Sequence, residues 1–168
     1  MPSFFIEALT SAHQRSRFEC GEPDLDTWFI KQARQQQDRG LSRTFVLLDN
    51  ASNLAGFYSL SASAVEPRTV PEDIVRAYTQ YFPISAILLA RLARHIDYRG
   101  QRLGDLLLVD ALKRCVRSAN DIGVAMIIVD AKSPGAVVLY QRHGFQFFPD
   151  SNRLWLSIKD ARQNTARP

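Results

Sequence analysis

The 168-residue chain has only two cysteines, Cys20 and Cys115. They set neither a disulfide framework nor a zinc pattern, so stability must come from a packed core. His13 and His95 have no partner at metal-ligand spacing, so no metal is expected. No apolar run is long enough to cross a bilayer, and no segment has the charge-then-apolar order of a secretory signal. The chain therefore reads as cytoplasmic and free of the membrane. Internal repeats and low-complexity tracts are absent, which excludes solenoids, fibres and linker-rich proteins. Neither G-x-x-x-x-G-K-[ST] nor G-x-G-x-x-G occurs, so the two common glycine-rich nucleotide fingerprints are ruled out.

What remains fits one globular domain. The length supports a sizeable core, and hydrophobic and charged shares of 46% and 23% are ordinary. We read residues 1–168 as a single domain with a frayed tail over 161–168. The net charge of +4, from 21 basic and 17 acidic residues, permits a polyanionic partner without demanding one. Arg91, Arg94, Arg99, Arg102 and Arg142 cluster in the second half. A planar guanidinium suits phosphate recognition, although solvated surface arginines would give the same pattern.

Periodicity organises the chain into alternating elements. Residues 4–8 read as a strand. Asp24 reads as the cap of a helix carrying Leu25, Trp28, Phe29 and Ala33 on one stripe and ending near Gly40. Residues 44–48 and 54–65 read as strands about a turn at 49–53. Pro67 and Pro71 break the second, and a short helix or loop spans 71–82. The apolar run 84–96 is too continuous for a half-exposed strand. A helix covers 105–117, with Leu108, Ala111, Leu112, Cys115, Val116 and Ala119 on its buried face. Residues 124–129 read as a buried strand. A helix capped by Asp130 or Ser133 runs to about His143 and stops at Gly144. Phe145 opens another strand, and 154–158 is the last. This order predicts a mixed α/β sheet with helices on both faces.

Two stretches carry chemistry. In the first, Arg99-Gly100-Gln101-Arg102-Leu103-Gly104 leads from a strand into the helix that begins with Asp105. The first N–H groups of a helix lack intrahelical partners and lie at its positive end, so a loop entering there can wrap an anion. Gly100 and Gly104 allow close approach, and Arg99 and Arg102 add cationic donors. The plain alternative is a strand-to-helix connection with surface arginines. The second stretch, Ala136-Val137-Val138-Leu139-Tyr140-Gln141-Arg142-His143-Gly144-Phe145, follows roughly twenty residues after that helix. By residue type, Tyr140 on an apolar helix face suits a core position.

In this order and at this distance, the two stretches resemble the acyl-coenzyme-A site of the GCN5-related N-acetyltransferases. The likeness extends to the acetyltransferase toxins of bacterial type II toxin–antitoxin modules. It is carried by Phe18 to Phe29 (FECGEPDLDTWF), Gly40 to Val46 (GLSRTFV), Gly56 to Ser61 (GFYSLS) and Leu89 to Ala93 (LARLA), and covers roughly residues 15–158. The resemblance implies a mostly antiparallel sheet with a splayed strand at the cofactor site. It implies acetyl transfer from acetyl-coenzyme A to the α-amine of aminoacyl-tRNA, which blocks translation. It also implies neutralisation by a ribbon–helix–helix antitoxin, and a homodimer. Leu92, Ala93 and Arg94 would bind the cofactor with Arg99, Gly100, Gln101, Arg102, Leu103, Gly104 and Asp105. Tyr140 would protonate the leaving thiolate, with His143 as a rival. Arg91 and Arg142 would meet the tRNA. No general base stands out.

One residue departs from the family's loop. Arg102 stands where the motif has its first glycine, and its side chain either crowds the pyrophosphate or points outward and adds a contact. Two other readings remain: an acetyltransferase of a small amine or protein N-terminus, and a non-catalytic acyl-coenzyme-A-binding module.

Overall fold

The computed structural model describes residues 3–66, 69–78 and 83–166. Its strands are β1 (Phe5–Ala8), β2 (Arg43–Leu48), β3 (Leu54–Val65), β4 (Ile84–Arg94), β5 (Met126–Asp130), β6 (Gln146–Phe147) and β7 (Arg153–Ser157). Its helices are α1 (Pro23–Lys31), α2 (Ala33–Asp38), α3 (Glu72–Tyr78), α4 (Leu103–Ser118), α5 (Pro134–Arg142) and α6 (Ile158–Thr165). The strands hydrogen-bond in the order β1-β2-β3-β4-β5-β7-β6. The β1–β2, β2–β3, β5–β7 and β6–β7 pairs are antiparallel, and β4–β5 is parallel. This is the mixed, mostly antiparallel sheet expected from the sequence.

Several boundaries differ from the sequence reading for local reasons. Asp24 is not the cap of α1. Glu22 holds that position without a side-chain bond, and Pro23 follows at the first helical position, where its missing N–H costs nothing. The Asp26 carboxylate instead accepts from the Cys20 N–H at 2.9 Å. The helix breaks at Gln32 (φ −120°) before α2 resumes. α4 begins at Leu103 rather than Asp105, and β4 stops at Arg94, where a 3-10 turn over Ile96–Tyr98 takes over. Ser133, not Asp130, caps α5, its hydroxyl accepting from the Ala136 N–H. The tail expected over 161–168 is mostly helix: Ser157 caps α6 by accepting from the Asp160 N–H, and Ala161 is fully buried. Pro67, residues 79–82 and residues 167–168, part of the sequence reading, lie outside the described residues.

By contacts the chain divides into two compact units, Met1–Ser61 with Ala90–Ala111 and Ala62–Leu89 with Leu112–Pro168. In the first, alternation along β3 sends successive side chains to opposite faces. Phe57 meets α1 on one face: its ring stacks on Phe29 at 4.1 Å and 3°, and Trp28 and Phe18 complete the aromatic cluster. Gly56 and Tyr58 meet α4 on the other, where the Tyr58 hydroxyl donates to Asp110 at 2.5 Å. Helices therefore cover both faces.

Gly56 is the tightest point of this unit. A Cβ there would lie 2.8 Å from the Ala93 carbonyl oxygen and 2.9 Å from Leu107 Cδ1. Hydrogen in place of a side chain lets β3, β4 and α4 close on one another.

In the second unit β5 is the core strand. Met126, Ile127, Ile128 and Val129 are all buried, because β5 is paired on both edges and packed on both faces. Ile84, Ala86, Val65, Ile74 and Phe148 join Met126 and Ile128 in one cluster.

The constraint at Gly56 is directly measurable. Gly56→Ala is expected to cost about 2 kcal/mol, the range of an overpacked core position, because backbone rather than a flexible side chain must yield. Urea unfolding monitored by circular dichroism measures it; wild-type stability would mean the contact is slack.

Candidate active site

The parallel ladder between β4 and β5 runs from Ala86–Met126 to Leu89–Val129 and stops there, while β4 continues to Arg94. Residues Ala90 to Arg94, which include the candidates Leu92, Ala93 and Arg94, thus extend past the last β5 pairing. Side-chain alternation puts Arg91 and Ala93 on the α1 face and Leu92 and Arg94 on the α4 face. Arg94 Nη1 is buried and has no hydrogen-bond partner among the described residues. A buried guanidinium nitrogen is a donor awaiting an acceptor, which suits a carbonyl- or phosphate-bearing ligand.

The chain then turns sharply into α4. The His95 N–H donates to the Ala55 carbonyl at 2.8 Å, and the Ile96 N–H to the Glu19 carbonyl at 2.9 Å. His95 Nδ1 accepts from the Asp97 N–H, capping the 3-10 turn. The Tyr98 hydroxyl donates to Asp49 at 2.7 Å. Asp49 also accepts from the N–H groups of Ala51 and Asn53 and from the Asn53 amide, so one carboxylate organises the β2–β3 turn and anchors the turn before the loop. These bonds hold Asp49 below the ordinary carboxylate range; burial, then the carboxylate, pushes Tyr98 up to about 12. The sequence reading missed this pair, since Asp49 looked only like a turn residue.

The loop itself is shaped as its glycine suggested. Gly100 has φ +80°, and Leu103, Gly104 and Asp105 form the first turn of α4, whose leading N–H groups have no partner inside the helix. Arg102 also adopts a left-handed conformation, φ +56°, so an arginine holds a backbone geometry that favours glycine. Its side chain is 76% exposed and its Nε lies 3.6 Å from Asp105. It points outward rather than crowding the loop. Gln101, Arg102 and Asp105 border a groove of about 800 Å³ with Phe4, Leu106 and Val109. Arg99 Nη2 lies 4.0 Å from where a Cβ on Gly21 would be.

A larger cavity of about 1190 Å³ is lined by Glu7, His13, Arg17, Asn53, His95 and Tyr98, among others, and by none of the residues expected to bind cofactor or tRNA or to move the proton. Size alone does not make it the reacting site. Its His13 is already spent, with Nδ1 accepting from the Thr10 N–H and Nε2 2.6 Å from Glu7. Among the described residues no group of three metal-ligating side chains occurs.

Tyr140 sits in the last turn of α5 and is 5% exposed. The helix ends in a hydrogen-bonded stop built on this residue. The Tyr140 carbonyl accepts from the N–H groups of His143 and Phe145, and the Gln141 carbonyl accepts from Gly144, whose φ is +95°. This is the Schellman arrangement, and its usual apolar contact is the Tyr140 ring 5.7 Å from Phe145. Burial pushes the phenol up to about 12. His143 is the half-buried C-cap, and Arg142 is exposed in the last turn. Arg91 is not a free surface charge: its guanidinium carbon lies 3.9 Å from the centre of the Trp28 ring, and burial lowers its pKa.

No family model matches the sequence. The chain is 36% identical over 155 residues, 92% of each chain, to a tRNA-acetylating toxin of Mycobacterium tuberculosis strain H37Rv. Among solved structures, a tyrosine-to-phenylalanine mutant of KacT superposes with a TM-score of 0.88 at 25% identity, over 95% of this chain and 98% of that one. AtaTR bound with AcCoA superposes at 0.82 and 25%, over 95% and 96%.

The backbone of Arg102 yields a test independent of activity. A left-handed conformation costs an L-residue about 1–2 kcal/mol and glycine almost nothing, although glycine also gains unfolded-state entropy. Arg102→Gly is therefore expected to keep wild-type stability or gain up to about 1 kcal/mol, whereas Arg102→Val, β-branched, loses more than about 1 kcal/mol. Thermal unfolding of the two variants checks this. The chain belongs to the acetyltransferase toxins of GCN5-related fold, the family of the tRNA-acetylating toxin.

Proposed function

We propose that this chain moves the acetyl group of acetyl-coenzyme A onto the α-amine of an amino acid esterified to tRNA. The observation that carries the reading is its likeness, over 92% of both chains, to a relative named for tRNA acetylation. The neighbouring structure of AtaTR with AcCoA supports the choice of donor. In this reading the two compact units work as one catalytic domain.

The residues have separable roles. The Arg99–Asp105 loop holds the pyrophosphate, with backbone N–H groups at the start of α4 and the Arg99 and Arg102 side chains as donors. The β4 backbone at Leu92, Ala93 and Arg94 engages the acyl arm and supplies an N–H toward the charge that develops on the carbonyl oxygen, an effect worth several kcal/mol in other acyl transfers. The amine nitrogen bonds to the carbonyl carbon, and the carbon–sulfur bond breaks. Tyr140 gives its proton to the departing thiolate, and the proton lost by the nitrogen leaves through water. A phenol held at about 12 stays protonated across the physiological range, so it is always ready as an acid.

The wider biology follows the same reading. A blocked amine cannot accept a peptide, so translation stops. An antitoxin with a ribbon–helix–helix part restrains the enzyme, which acts in the cytoplasm as a homodimer. No helix among the described residues is long and apolar enough to cross a membrane.

The central test is single-turnover acetylation of purified aminoacyl-tRNA. Tyr140→Phe is expected to fold normally and to lose roughly two to four orders of magnitude in rate. The wild-type rate should show no alkaline fall from Tyr140 between about pH 7 and about pH 10, because the raised pKa moves that deprotonation higher still. Equal rates for the two proteins would remove Tyr140 as the acid.

A second measurement addresses the acceptor. Binding a polyanion releases counterions, so the rate at subsaturating tRNA is expected to fall several-fold from about 50 to 200 mM salt and after Arg91→Glu with Arg142→Glu. Equal, salt-indifferent rates on tRNA-linked and free amino acids would favour a small-amine acetyltransferase.

A further inference from the structure

Among the polar contacts of the C-terminal helix α6, one reaches the end of α5. The Asn164 side-chain amide donates to the His143 carbonyl at 3.2 Å. That carbonyl belongs to the C-cap of α5, one of the helix-end acceptors that have no partner inside the helix. The two bonds of the Schellman stop use the carbonyls of Tyr140 and Gln141 and leave the one on His143 to be satisfied from outside.

The contact lies at the surface, but both of its ends sit on defined structure. Gly144 lies directly beneath Asn164: a Cβ on Gly144 would be 3.1 Å from the Asn164 Nδ2 and 3.4 Å from Leu156 Cδ1. α6 is itself seated by buried Ile158 and Ala161, capped by Ser157, and tied at Arg162, whose Nη1 donates to Asn120 at 3.0 Å. A docked helix therefore presents a donor to the turn that closes on the Tyr140 carbonyl.

We propose that Asn164 is a positioning residue for acetyl transfer: through the His143 carbonyl it fixes the last turn of α5 and with it the direction of the Tyr140 hydroxyl. This rests on the reading of Tyr140 as the general acid. It assigns the C-terminal helix a part in the reaction through the stop of α5.

The test is a double-mutant cycle on the full-length protein, with aminoacyl-tRNA and acetyl-coenzyme A as substrates. N164A and N164D both lack the donor. Each is expected to lower kcat roughly five- to tenfold with the KM for acetyl-coenzyme A within about twofold of wild type, because small displacements of a reacting group are costly while binding groups stay in place. In a Y140F background the same changes are expected to alter the residual rate by less than about twofold, since groups acting through one proton transfer are not additive. An equal fractional loss in both backgrounds, with Y140F itself slow, would overturn the role of Asn164 and leave Tyr140 as the acid. A wild-type kcat for both Asn164 variants would do the same. A wild-type rate for Y140F would overturn both.

Discussion

The close approach of backbone to backbone at Gly56 is the constraint on which the candidate site depends. Three elements meet where a side chain is missing: β3, the end of β4 at Ala93 and Arg94, and α4 through Leu107. The start of α4 is the proposed anion cradle, and the end of β4 is the proposed acyl-binding strand. Their separation is therefore limited by a residue that belongs to neither. The aromatic stack of Phe57 on Phe29, on the opposite face of β3, backs the same segment with rigid apolar surface.

Around this point the polar groups are arranged so that few are left to chance. Asp49 gathers four donors from the β2–β3 turn and Tyr98. In the same unit His95 satisfies the Asp97 N–H. Arg94 Nη1, by contrast, is one of several buried polar atoms without a partner among the described residues. The loop before α4 carries backbone strain at Arg102, which accepts a left-handed conformation, as Ser52 and Asp150 do elsewhere.

Much of the fold was legible because it is local. The apolar period of α4, the turn at residues 49–53, the long strand ending at Val65 and the glycine stop after His143 each follow from short-range rules, and each is present. The errors are also local in origin. Asp24 has the right residue type for a cap, but Pro23 preempts the position. Residues 161–165 lack an obvious apolar face, yet buried Ile158 and Ala161 and a Ser157 cap suffice to dock them as a helix.

For the site, the sequence alone determined the loop with its glycine and arginines, the tyrosine before the helix stop, and the family they resemble, because these are contiguous runs in one order. Which groups are spent and which are free was decided only by tertiary structure. Arg91 looked like a surface charge until Trp28 was found beneath it. Whether Arg102 crowds the loop or points outward stayed open until its φ and its outward turn toward Asp105 were known. Asp49 with Tyr98 and Asn164 with His143 join residues 49 and 21 positions apart. No periodicity or motif encodes such pairs. They exist because packing brings a donor and an acceptor together, and that depends on the whole fold.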